Sequence, residues 1–199
     1  MNLSAIGICN AALSALGHDI IRDFSENNKK ARMCEILYNI NRVYLLSVFD
    51  WPFARGFVKL QKISTDEDLP ALHALYALPT DCIYPRDLHP IEMHYPWEQV
   101  GKSLLIEERD EVFLYYTKDI VNPASFSIGF SAVLSALLAW KLSQPITQNQ
   151  KLTREMKEAY FVTYAEVLQL EANIGSEYRQ ADEKPENDTF VYPHAHANT

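Results

Sequence analysis

The sequence predicts an α+β fold, mainly α, with a four-helix core, an inserted small antiparallel β region and an extended C-terminal tail. Apolar residues recur at helical spacing in two segments before residue 50 and in two more after residue 122. Between them, residues 53–121 alternate in polarity and contain five prolines, which is typical of short strands and loops. After Gly175 the composition becomes polar.

The length of the chain favours one domain followed by a tail. With 199 residues, 48% of them apolar, the chain can bury one ordinary core. Residues 1–175 are therefore predicted to form a single domain. Residues 176–199 contain too few apolar side chains to offset the backbone entropy of ordering them, about 1–2 kcal/mol per residue, so the tail is predicted to be extended or disordered until it binds a partner.

The first two helices are predicted over about residues 2–16 and 25–49. The first ends at Gly17, which suits the left-handed position that closes many helices. The second begins with Ser25 as its N-cap and ends before Pro52. One face of the second helix carries the residues expected to be buried: Ala31, Cys34, Leu37, Tyr38, Asn41, Leu45 and Val48.

The third helix is predicted over about residues 123–143, with Asn122 as N-cap and Pro123 at its first position. Small residues follow at intervals of four, and they would let another helix approach closely: Ser127, Ser131, Ser135 and Ala139. The stretch 124–140 carries no charge, but it is short for a membrane span and rich in serine. We therefore expect a buried central helix.

The fourth helix is predicted over about residues 148–174, with a capping box of Thr147 and Gln150 at its start and Gly175 at its end. Its buried stripe is expected to comprise Leu152, Met156, Ala159, Thr163, Val167, Leu170 and Ile174.

The β region is predicted over about residues 53–121, with strands at 57–61 and 112–116. Its clearest element is a hairpin that turns at Gly101–Lys102, because glycine supplies the positive φ of a tight two-residue turn. Tyr76, Tyr84, Tyr95 and Trp97 fall in this region, where large rings either anchor protein interfaces or cap a small β core. The sequence leaves both roles open.

Charge and cysteine content restrict the class of protein. The net charge of −8 has the wrong sign for gripping DNA phosphates, which disfavours a DNA-binding helical regulator. The three cysteines, Cys9, Cys34 and Cys82, form no Cys-x-x-Cys pair and their number is odd, so we expect buried reduced thiols and assembly in a cytoplasm. The N-terminus carries no secretion signal.

The motifs of enzymes are weak in this chain, and no catalytic, cofactor-binding or metal-binding residue is predicted. The glycines form no phosphate-binding loop. His194 and His196 are read as a solvated pair rather than metal ligands. The acidic residues within 107–111 are read as a charged turn rather than an acid and base. The alternative is a small hydrolase acting on cell walls or glycans, with His73, His89 or His94 as base.

Several segments, in order, resemble one family. The segment Ile8–Gly17 is similar to the first helix of the tail tubular protein A family, the adaptors or gatekeepers of the head-to-tail connector in short-tailed bacteriophages. The resemblance covers about residues 3–175. It continues through Ala31, Cys34, Tyr38 and Arg42, then Trp51–Ala54, Tyr76–Cys82, the Gly101 hairpin, Leu114–Tyr116, Phe126–Leu142 and Pro145–Thr147.

The resemblance implies a non-enzymatic virion subunit that forms a ring, a dodecamer, joining the portal protein to the tail nozzle or tail fibre protein. The β region would face the tail, with Tyr95, Trp97 and Lys102 on that side. The C-terminal tail would bind the portal protein, and its candidate residues are Tyr178, Arg179, Phe190, Val191 and Tyr192. No membrane is involved.

Ring closure adds a physical expectation, because it needs two different faces on each subunit. We expect these on the exposed sides of helices two and four, with Arg32 and Arg42 as partners for acidic neighbours. Twelve chains of net charge −8 would also line a channel that DNA passes without sequence-specific binding.

Overall fold

The computed structural model describes the backbone of residues 4–64, 72–89 and 95–182, and the side chains of the same residues except 64 and 172–182. Within these ranges the protein has four α-helices and two antiparallel sheets, which confirms the predicted α+β class, mainly α. The helices are α1 (Ala5–Ala15), α2 (Lys29–Val48), α3 (Ile128–Thr147) and α4 (Gln150–Asp182).

The start of α2 differs from the prediction. Asn28, not Ser25, is the N-cap, and its side-chain oxygen accepts a hydrogen bond from the Ala31 amide at 2.8 Å. Ser25 instead lies in the preceding loop, where its amide donates to Asp23. Both are capping residue types, and the sequence offered no signal that favoured the later one.

Helix α3 starts later and ends later than predicted. Asn122 and Pro123 begin a separate 3-10 turn, Pro123–Ser125, and the extended backbone of Phe126 separates this turn from the helix. Ser127 caps α3 by accepting from the Phe130 amide at 3.1 Å. The helix then passes through Pro145 to Thr147.

The predicted cap and the predicted C-terminal end of α4 are wrong. Thr147 is the last residue of α3, so it forms no capping box; the Asn149 side chain accepts from the amides of Lys151 and Leu152 instead. The helix continues through Gly175 to Asp182. One glycine costs about 1 kcal/mol of helix propensity, and neighbouring Glu, Ala and Gln residues oppose that cost. Residues 176–182 are therefore helical rather than extended, and residues 183–199 lie outside the described residues.

The helical core forms around α3, as predicted. This helix contacts each of the other three, and its Phe130 meets Trp51 edge-on, with ring centroids 5.0 Å apart. At its N-terminal end α4 approaches closely, because a Cβ placed on Gly129 would lie 2.7 Å from Cγ1 of Val167. Ser127 also donates a hydrogen bond of 2.7 Å to the buried Glu171 of α4.

The β region is built from two sheets. Its strands are β1 (Arg55–Lys59), β2 (Gln61–Ser64), β3 (His73–Ala77), β4 (Cys82–His89), β5 (Trp97–Val100), β6 (Ser103–Glu107) and β7 (Phe113–Lys118). The three-stranded sheet has the order β1-β7-β4, and the four-stranded sheet has the order β2-β3-β6-β5. The β5–β6 hairpin turns at Gly101, with φ of 61°, as predicted.

The predicted strand over residues 57–61 is divided between the two sheets. Its break is at Leu60, a buried residue whose amide donates to the Val112 carbonyl at 2.7 Å. Leu60 packs in a second apolar core with residues from both sheets, among them Tyr76, Leu104 and Leu114. The chain thus passes from one sheet to the other at a single buried residue.

Candidate interaction surface

Two arginines join the helical core to the β region. Arg86 of β4 donates from Nη2 to three carbonyls at the end of α2, at 2.7–3.2 Å, and from Nε to Oγ1 of Thr117 at 2.8 Å. The carbonyls at a helix C-terminus lack helical partners and carry partial negative charge, so a guanidinium suits them. Burial lowers the pKa of Arg86 from its ordinary value. This contact fixes the three-stranded sheet against α2.

Arg42 does not lie on the exposed side of α2, so its predicted role at a subunit interface is corrected. Its side chain is only 4% exposed, forms an ion pair with Asp119 and donates to the Ile120 carbonyl at 2.7 Å. A buried guanidinium needs such partners because leaving it unpaired would be costly. Arg32 is exposed, as expected, and donates to Oδ1 of Asn27 at 3.0 Å.

The outer face of α2 carries an apolar stripe that the sequence analysis missed. We call it the α2 ridge, and its members are 38% to 61% exposed: Ile36, Ile40, Val43, Tyr44 and Val48. Their spacing places them along one side of the helix. The sequence carries these residues as a second apolar set beside the one that contains Cys34 and Leu45. Val48 was predicted to be buried with that first set, and its 42% exposure corrects this prediction. A contiguous apolar stripe of this kind is typical of a protein-binding surface.

The buried side of α4 also differs from the prediction. Leu170 is 64% exposed and Ala159 is exposed, whereas Tyr160 is buried and Tyr164 half-buried. The shift arises because the Tyr160 ring packs on Trp140 of α3, with centroids 5.6 Å apart. Met156 and Val167 do face the core as predicted, and the side chain of residue 174 lies outside the described residues.

The large exposed apolar residues of α4 are Phe161, Val162 and Leu170, and they do not lie on one side. Phe161, 51% exposed, lies beside the α2 ridge, since both line the same groove. Leu170 follows nine residues later, which is two and a half turns of an α-helix and therefore the opposite side. Each chain thus presents one apolar surface, formed by the α2 ridge with Phe161, and the single exposed side chain of Leu170 on the opposite side of α4.

An open groove of about 460 Å³ separates the α2 ridge from α4. We call it the Trp140 groove; Ile40 and Tyr44 form one wall, Phe161 the other, and Trp140 and Tyr160 lie between them. Nζ of Lys141 lies 4.2 Å, and Nζ of Lys157 5.5 Å, from the Trp140 ring centroid. The groove therefore combines an aromatic lining with two cations.

The predicted tail-facing residues divide into two groups. The Arg109 guanidinium lies 3.7 Å from the centroid of the Tyr95 ring, and both Tyr95 and Trp97 pack against the β core. Tyr76 is likewise buried, so for these three rings the structure favours the core role. Lys102 is exposed at the tip of the β5–β6 hairpin.

A cluster of aromatic rings covers the three-stranded sheet and was also missed. Phe57 is stacked on Phe113 with centroids 5.4 Å apart, and it lies 4.6 Å from Tyr115 and 5.7 Å from His89. Phe57 is half exposed. These residues come from three strands that pair only after folding, so no local sequence pattern indicated that their rings would form a cluster.

Of the residues considered for catalysis or metal binding, some form ion pairs and others lie outside the described residues. The acidic turn is engaged in ion pairs: Glu107 with Arg109, Glu108 with Lys62 and Glu111 with Lys59. In the described part of the chain no group of three His, Cys, Asp or Glu residues is placed to hold a metal ion. His94, His194 and His196 lie outside the described residues.

The cysteines lie in two places. Cys9 and Cys34 are buried together in the helical core, where a hydrogen bond between the thiols and burial raise the pKa of Cys9 well above its ordinary value. Cys82 is only half-buried, and burial raises its pKa to about 11. All three are free thiols.

Of the residues predicted to bind a portal protein, Tyr178 and Arg179 lie on the last turns of α4, with side chains outside the described residues. Phe190, Val191 and Tyr192 lie outside the described residues altogether. No described helix is long and apolar enough to cross a membrane.

Comparison with known proteins adds no relative to this description. No protein-family model matches the chain, and no curated protein is significantly similar to it. The features that bear on its function are therefore the α2 ridge, the Trp140 groove and the aromatic cluster of the β region.

Proposed function

We propose that this chain is a structural subunit that closes into a ring and serves as the adaptor of a bacteriophage head-to-tail connector. The observation that supports it is the exposed α2 ridge, together with the exposed Leu170 on the far side of α4. A ring needs a heterologous contact, in which one surface of a subunit binds a different surface of the next. The α2 ridge and the Leu170 side of α4 meet this requirement.

The rest of the proposal concerns the neighbours in the virion. The portal protein would bind the C-terminal tail, including Tyr178, Arg179 and Phe190–Tyr192. The tail nozzle or tail fibre protein would meet the β region, where Lys102 and the Phe57 cluster are the exposed features. DNA would pass through the ring without specific contacts, because the chain carries a net charge of −8.

The hydrolase is the weaker alternative. Its candidate bases are His73, His89 and His94. The acidic residues of the 107–111 turn could also supply an acid and a base, but Glu107, Glu108 and Glu111 form ion pairs. His89 packs edge-on against Phe57 in the aromatic cluster.

The ring contact can be tested with a charge placed on the α2 ridge. Ile40→Glu would bury a carboxylate in the subunit contact, which costs several kcal/mol when the charge has no partner. We expect the wild-type chain mixed with portal rings from the same source to form a second ring in electron micrographs, and the variant to fail.

Asn39→Glu is the matched control, since it adds the same charge to the same exposed helix one residue outside the ridge. It should still assemble. Rings formed equally well by Ile40→Glu would remove the α2 ridge from the contact. Absence of any complex between the wild-type chain and portal rings would contradict the adaptor role itself.

A further inference from the structure

The Trp140 groove has a chemistry that the ring contact does not require. Its lining is aromatic, from Trp140, Tyr160 and Phe161, with Lys141 as its cation, and Lys157 lies beside the Trp140 ring. Such a groove suits a short segment of consecutive aromatic and aliphatic side chains, because rings and methyl groups fill its apolar part.

One segment of the chain has this composition. Residues 190–192 read Phe-Val-Tyr, three consecutive large apolar residues that follow the polar stretch 183–189. Residues 183–199 contain three acidic residues and one lysine, and Phe190–Tyr192 is their only run of large apolar side chains. Those side chains gain most from burial in an apolar site, roughly 1.5–3 kcal/mol for each large one.

The length of the chain allows this segment to reach its own groove. Phe161 lies 21 residues before Asp182, the end of α4, which is about 32 Å along the helix. Phe190–Tyr192 follow Asp182 by eight to ten residues, which span roughly 26–36 Å when extended. A tail that turns back along α4 therefore brings these three residues to the level of Phe161.

We propose that Phe190–Tyr192 binds in the Trp140 groove of the same chain. In this position the segment covers the ridge residues Ile40 and Tyr44, which are walls of the groove. Glu186 and Asp188 then lie along α4 on the side that leads to Asp182. The chain's own tail then competes with any other molecule for this surface.

The consequence for assembly rests on the proposed function. A subunit whose tail occupies the groove presents a covered ridge, and a portal protein that binds the tail uncovers it. Ring closure is then coupled to portal binding through one segment, since the two sites share the same three residues.

Disulfide trapping in the full chain tests the docking. In a Cys82→Ser background, Val191→Cys is combined with Phe161→Cys, and a glutathione redox buffer oxidises the two thiols to a disulfide. The matched control combines Val191→Cys with Val162→Cys, which is exposed at the same level of α4 but does not line the groove. A free tail would reach both positions equally.

We expect the intrachain disulfide with position 161 to form roughly tenfold faster than that with position 162, because binding raises the effective concentration of the two thiols. Replacing Phe190 and Tyr192 by serine should remove this difference. Equal rates at positions 161 and 162 would overturn the proposal, and so would a product consisting mainly of disulfide-linked dimers. The experiment uses the chain without portal protein, so it can show that the tail does not dock even if the chain binds the portal protein. Equally, it can show docking in a chain that does not bind the portal protein.

Discussion

At the scale of single residues, two guanidinium groups connect parts of the chain that are far apart in the sequence. Arg86 lies 37 to 40 residues from the carbonyls that it binds, and Arg42 lies 77 residues from Asp119. Neither partnership has a local sequence signal, since hydrophobic periodicity reports only on the element that contains it. Arg42 was consequently expected on the surface, and Arg86 was not noticed.

The contribution of Arg86 can be measured with Arg86→Met, which keeps the aliphatic length and removes the donors. The α2 carbonyls would lose their partner, and hydrogen bonds to a charged group contribute about 1.5–3 kcal/mol. We expect urea denaturation to show a loss of about 2–3 kcal/mol in the free energy of unfolding.

Arg32→Met is the control, because Arg32 is exposed and makes one hydrogen bond to Asn27. Its effect should stay within about 0.5 kcal/mol. Equal losses for the two variants would mean that Arg86 does not hold the sheet against α2.

The thiol of Cys82 offers a prediction on pH. Burial raises its pKa to about 11, with a smaller contribution from Asp81, so the reactive thiolate is scarce at neutral pH. The rate of its alkylation by iodoacetamide should rise about tenfold per pH unit from pH 7 to 9.5 without levelling off. Free glutathione, whose thiol has an ordinary pKa, should level off in that range, and a plateau for Cys82 near pH 9 would contradict the raised value.

At the scale of elements, the sequence predicted which helices exist better than where they end. The apolar spacing of all four helices is long and regular, which makes their existence the most reliable part of the prediction. Their ends depend on choices between similar signals, such as Ser25 against Asn28 at the start of α2. Gly175 was read as a stop, although a glycine can lie inside a helix when the residues around it favour helix.

The faces of the helices were predicted only in part. On α4 the buried side was displaced because Tyr160 packs on Trp140, a contact between two elements. On α2 the residues of the apolar ridge recur at helical spacing in the sequence, but this spacing alone does not distinguish a buried apolar face from an exposed one. The difference depends on which neighbours the fold supplies.

The close approach of α3 and α4 predicts the effect of one methyl group. Gly129→Ala would place Cβ 2.7 Å from Cγ1 of Val167, so the two helices must separate or Val167 must leave its rotamer. Overpacking of this kind costs about 1–3 kcal/mol, and thermal unfolding should show the loss as a lower Tm.

The same substitution at Gly175 has the opposite expected sign. Its backbone is helical, so alanine should raise the free energy of unfolding by up to about 1 kcal/mol through helix propensity. If Gly129→Ala instead raised the free energy of unfolding, the crossing of α3 and α4 would have space for the added methyl group, contrary to the prediction.

At the scale of the whole molecule, the candidate site was the least predictable part. The sequence placed interfaces on helices two and four, and both helices do expose apolar residues. The Trp140 groove needs α2, α3 and α4 together, and the Phe57 cluster needs three strands together, so each exists only in the folded chain. Of the specific residues predicted for interfaces, Arg42 is buried and Tyr95 packs against the β core, whereas Arg32 and Lys102 are exposed.

The contact between Arg86 and the end of α2 gives the molecule a mechanical property. Because these hydrogen bonds hold the three-stranded sheet against the helix that bears the ridge, a force on the β region is transmitted directly to α2. In a closed ring, torque applied at the β end would travel down α2 into the neighbouring subunit. Each subunit of the proposed ring would then move as a rigid body, and the subunits would rotate together.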